Sequence, residues 1–138
     1  ADLALGVLAC HRAGKDQMAG DLMMLMLARG RFDIDRVRDT TAHQAVQVLM
    51  LNLSQSGGAD WPQRMQQVFD KLSAEGSADK ARVCRALAQM PPPEHSPRYM
   101  IQHGMDAILG GDGDALRVDF DAAQSWQQVR QTYLKCPA

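Results

Sequence analysis

Side chains able to do chemistry gather at a few places in this 138-residue chain. The densest group is acidic. Asp112, Asp114, Asp119 and Asp121 follow the pair Gly110-Gly111 and could bind a hard cation such as calcium. An EF-hand would need a third ligand and a glycine at fixed positions after Asp112-Gly113-Asp114, and neither follows. The acids read instead as a solvated loop, with Asp119 or Asp121 capping the next helix. A second group is Glu94, His95, Tyr99 and His103. On a helix Tyr99 and His103 stand one turn apart, so these side chains could ligate a metal or act as acid and base. No His-Glu-x-x-His motif accompanies them, and a third ligand would have to come from elsewhere. The simpler reading is a polar helix face after the run Pro91-Pro92-Pro93. An enzyme would require His95 to His103 to converge in a cleft with another polar group.

The remaining candidates are weaker. Cys10 and His11 are adjacent, and neighbouring helical side chains point roughly 100° apart, which suits no nucleophile–base pair. Met18, Met23, Met24 and Met26 could suggest copper(I), but at helical spacing methionines read as core or as an adaptable apolar groove. Gly110, Gly111 and Gly113 match no phosphate-binding loop. Arg29, Arg31, Arg36 and Arg38 alternate with Asp33, Asp35 and Asp39, which suits a salt-bridged surface or a charged protein interface better than a phosphate track. These residues lead to no expected cofactor, no metal and no catalytic set.

The elements that would carry them are helical. Apolar residues recur at helical spacing over 3–12, 16–29, 62–74, 78–90, 97–109 and 126–135. A long helix starts near Thr40 or Thr41 and runs to Leu53, and 34–37 forms one turn. Start signals recur: Asp60-Trp61-Pro62-Gln63, Ser96-Pro97 and Ser125-Trp126. Gly30, Gly76 and Gly110 read as helix ends. The short link Gly76-Ser77 implies antiparallel neighbours. Residues 28–33 resemble the turn of a tetratricopeptide-type helical hairpin, but no second copy follows and no repeat is assigned. Leu116, Val118 and Phe120 alternate with Arg117 and Asp119, which reads as an extended segment laid over the helices. The expected fold is all-α: a single domain over 1–138 with about six or seven helices packed as antiparallel hairpins.

Bulk properties narrow the function. An apolar fraction of 46% supports a real core, and a net charge of −1 argues against a nucleic-acid binder. No apolar run approaches the length of a membrane span. Cys10, Cys84 and Cys136 lack zinc-site spacing. Cys84 reads as a buried thiol, and a Cys10–Cys136 bridge would pin the tail to the first helix. The opening Ala1-Asp2-Leu3 fits either export processing or a sequence boundary, with a slight preference for a periplasmic or secreted bacterial protein.

The expected function is non-enzymatic binding of another protein, as an adaptor or an inhibitor of the immunity type. A homodimer is compatible with this reading. Contacts are expected at 54–61 and 110–120, with Trp61, Asp112, Asp114 and Arg117 as binding residues. Trp61 has a second reading, as a staple packed on Phe69 or Met65. Alternatives are an apolar ligand in a cavity lined by methionines of the second and sixth helices, and an enzyme built on His95 to His103.

Overall fold

The computed structural model describes residues 2–111 and 115–138. The fold is all-α, as expected. Two antiparallel helices open it: α1 (Asp2–Arg12) and α2 (Asp16–Arg36). Gly14 turns the chain between them at φ 72°, a conformation that costs glycine little. The helix α2 is the axis of the molecule. It buries Met23, Met24, Met26, Ala28 and Phe32, so most of its circumference faces protein.

Gly30 does not end α2, and residues 28–33 form no hairpin turn. The helix runs through both, and 34–37 continues it to Arg36. The glycines of α2 make room rather than stop the chain. A Cβ on Gly30 would stand 2.9 Å from Val46 Cγ2, and one on Gly20 would collide with Val68. Each is a point where another helix closes on α2.

A 3-10 turn (Thr40–Gln44) leads into α3 (Ala45–Ser56). The helices α4 (Trp61–Ser73) and α5 (Ala78–Gln89) form a second hairpin across Gly76, which is at φ 69°. Ser77 caps α5 by accepting from Lys80 N. Asp60 precedes α4 but makes no capping bond; its carboxylate accepts from Arg64 instead.

The expected helix over 97–109 is two short ones, α6 (Arg98–Ile101) and α7 (Met105–Ile108). Gly104 between them is extended, at φ −84° and ψ 153°. The break is stabilised from a distance. Thr41 Oγ1 accepts from Met105 N at 2.8 Å and Asp39 Oδ2 from Asp106 N at 3.0 Å, so the 3-10 turn caps α7.

The last helix, α8 (Ala122–Gln128), starts earlier than its Ser125-Trp126 signal because Asp121 caps it, accepting from Gln124 N. It continues as a π turn (Val129–Tyr133). Trp126 packs edge-on to Phe32 and donates from Nε1 to the Met90 carbonyl. A disulfide joins Cys84 to Cys136, and Cys10 is free. The expected Cys10–Cys136 bridge and the free Cys84 thiol are therefore both corrected. The disulfide ties the chain end to α5 through Cys84. The main core is joined by a smaller cluster of Val37, Ala42, Ala45 and Met100. Among the described residues no helix is long and apolar enough to cross a membrane.

Candidate functional site

Two places combine exposure or a cavity with organised chemistry. The first centres on Asp33, which is fully buried near the end of α2. A carboxylate removed from water must be compensated, and this one is met on every side. Its Oδ1 accepts from Arg36 Nε at 2.8 Å and lies 2.7 Å from Arg36 Nη2. Its Oδ2 accepts from His95 Nε2 at 2.9 Å and from the Tyr99 hydroxyl at 2.8 Å. Arg36 also donates to the His95 carbonyl at 2.6 Å and lies over the Phe32 ring. One side chain of α2 thus fixes the 95–99 stretch.

The proton positions follow. Burial and the neighbouring Asp33 charge push the Tyr99 hydroxyl far above its ordinary value of 10.0, so it stays a donor. An ionised Asp33 only accepts, so His95 Nε2 carries the hydrogen of that bond. Nδ1 makes no hydrogen bond to the described residues. The ring edges a cleft of about 260 Å³ lined also by Leu3, Arg29, Leu49, Ser96 and Tyr99. His103 does not join; it is exposed in the turn after α6. Of the sequence group, then, His95 and Tyr99 converge while Glu94 and His103 stay out of the Asp33 network.

The second place is apolar. Two segments, 105–111 and 115–118, are anchored on residues 36–41. Beside the α7 caps, the Ala115 carbonyl accepts from Arg38 N, Arg117 N donates to the Arg36 carbonyl, and Leu116 forms an isolated antiparallel bridge with Val37. The strand-like alternation thus pairs with residues 36–38 at the end of α2. Although held at their feet, the segments expose large apolar side chains: Ile108 is 68%, Leu109 77% and Val118 87% exposed. Met105 and Leu116, on the same two segments, are also exposed. Arg117 borders an open groove of about 790 Å³ together with Arg31, Asp35, Phe120 and Tyr133. Asp112 and Asp114 lie outside the described residues.

Of the two readings of Trp61, burial excludes the surface anchor and favours the packed one. Trp61 is 6% exposed and belongs to the main core with Met65. Its ring meets His11 edge-on at 4.8 Å, and His11 Nε2 lies 2.8 Å from the Gly57 carbonyl. The pair forms a corner between α1 and α4. The interleaved arginines and aspartates resolve into ion pairs, Arg31 with Asp35 and Arg36 with Asp33. The buried methionines of α2 and Met100 of α6 fall in different clusters. Among the described residues no group of His, Cys, Asp and Glu could hold a metal ion.

Sequence reasoning missed Asp33 as the hub. The available signal was its i, i+3 spacing from Arg36, hidden because the whole stretch alternates in charge. Comparison of the chain with family models, with curated proteins and with solved structures finds no match.

Proposed function

We propose that this chain is a non-enzymatic protein-binding module, an adaptor or an inhibitor of the immunity type. It docks an apolar patch of another protein on the two segments 105–111 and 115–118. The observation that carries this reading is the exposure of Ile108, Leu109 and Val118 on two segments whose backbones are both tied to residues 36–41. Large apolar side chains scattered singly need no explanation, but several on one anchored stretch mark a contact surface. Anchoring also lowers the ordering cost that a loose loop would incur on binding. Arg117, between Leu116 and Val118 in the chain, supplies a charge that would steer the partner. The Cys84–Cys136 bond favours an oxidising compartment, in keeping with an exported protein.

A photo-crosslinking residue at Ile108, compared with one at Leu5 on α1, tests the reading in cells that make the protein. Leu5 is an exposed apolar control. A discrete adduct with one protein at position 108, absent at position 5, is the expected result. An adduct with a second copy of the chain would replace the heterologous partner by a homodimer. Equal, diffuse labelling at both positions would refute docking at this surface.

A further inference from the structure

We propose that the cleft between α2 and residues 95–99 binds a small monocarboxylate, anchored by Arg29 and met also by His95 Nδ1. This inference is independent of the docking segments.

The reasoning starts on α2. Arg29 and Asp33 are an i, i+4 pair, the spacing at which an arginine and an aspartate normally join. Here they do not. A carboxylate offers roughly four lone-pair directions, and Arg36, His95 and Tyr99 already fill those of Asp33. Arg29 is left half-buried, with no ion pair or hydrogen bond to the described residues. A guanidinium presents a planar fork of donors suited to a carboxylate. It lines both the 260 Å³ cleft and an adjoining one of about 230 Å³ formed with Met90, Pro91 and Trp126.

His95, which lines the same cleft, supplies the second contact. Asp33 fixes the His95 ring through Nε2, which leaves Nδ1 as an oriented acceptor when the ring is neutral. A hydroxyl next to the bound carboxylate would donate to it. Leu3 and Leu49 provide an apolar floor for a short alkyl body. Asp2 and the already paired Asp33 line this cleft and Glu94 the adjoining one, so a ligand with two negative charges is disfavoured. The cleft is smaller than sites that hold drug-sized ligands, which limits the occupant to a few carbons.

Titration with isobutyrate, 2-hydroxyisobutyrate and isobutyramide, followed by the His95 Cε1–H resonance, tests the site. The acid is expected to shift the resonance saturably at concentrations up to about 50 mM, and the hydroxy acid several-fold more tightly. The uncharged amide should produce no shift. Arg29→Gln should weaken acid binding at least about tenfold, a loss of roughly 1.4 kcal/mol. Its melting temperature should not change, because Arg29 makes no ion pair or hydrogen bond to the described residues. Arg29→Lys, which keeps the charge without the fork, should fall between. A dipeptide with a free C-terminus, run against its C-terminal amide, distinguishes a peptide end from a free acid as the source of the carboxylate. No saturable shift with either acid, equal binding by Arg29→Gln, or equal binding of the amide would each overturn the proposal.

Discussion

At the scale of single residues, Asp33 governs the chemistry of the molecule. It is buried, charged and satisfied only because Arg36, His95 and Tyr99 all turn towards it. Tyr99→Phe removes one donor to a charged acceptor and should cost about 1.5–3 kcal/mol in urea unfolding. The raised Tyr99 hydroxyl also sets a pH dependence. Its contribution is complete below the ordinary value of 10.0 and is lost as pH rises beyond it. Phenylalanine at this position should therefore flatten the alkaline limb of the stability profile. The acid limb has another origin. Hydrogen bonds from Arg64 hold Asp16 and Asp60 below their ordinary value of 3.8. That stability is fully present above pH 3.8 and is lost as pH falls through the lowered native values. Arg64→Gln should make melting temperature less steep in acid. Much of this was beyond a sequence reading. His95 and Tyr99 could be grouped by their spacing, but their shared acceptor lies 62 and 66 residues away.

At the scale of elements, apolar periodicity located the helices well, because it reports burial directly. Their ends were less legible. Ser77 and Asp121 act as caps, and both had the right residue type at the right place. Asp60 had the right type too, yet Arg64 competes successfully for its carboxylate. Gly30 misled because a glycine near a helix end and a glycine at a helix crossing look alike in one dimension. The packing explanation is testable. Gly30→Ala gains about 1 kcal/mol of helix propensity but must displace Val46, a strain of about 1–3 kcal/mol. The expected net loss is about 0–2 kcal/mol, and it should vanish in a Val46→Ala background. A double-mutant cycle in urea measures this coupling. The split of 97–109 was hidden for a related reason: Asp39 and Thr41, which cap α7, come from a distant turn.

At the scale of the whole molecule, the all-α class was written in the sequence, while the cysteine pairing was not. Three cysteines allow several bridges, and only the path of the chain end over α5 selects Cys84 for Cys136. Their separation of 52 residues makes the bond a long-range staple. The Cys84→Ser/Cys136→Ser variant should lose about 2–4 kcal/mol of stability. In the unmutated, unreduced chain Cys10 should be the single thiol that alkylates, and reduction should expose two more, which mass spectrometry reads directly. The surface of the molecule was partly legible. Position 117 falls in the candidate contact region, but the exposed apolar side chains of α7 were assigned to a core-facing helix. That assignment fails because a four-residue helix capped by another element has no need to bury a face of its own. Docking by that surface is tested most directly with the partner recovered through the Ile108 crosslink. Its affinity should be measured against Ile108→Asp/Leu109→Asp, with thermal melting in parallel. A loss of about 100-fold or more, near 2.7 kcal/mol, is expected with the melting temperature unchanged. Undiminished affinity, or a loss that merely tracks a fall in melting temperature, would contradict a docking role for these segments.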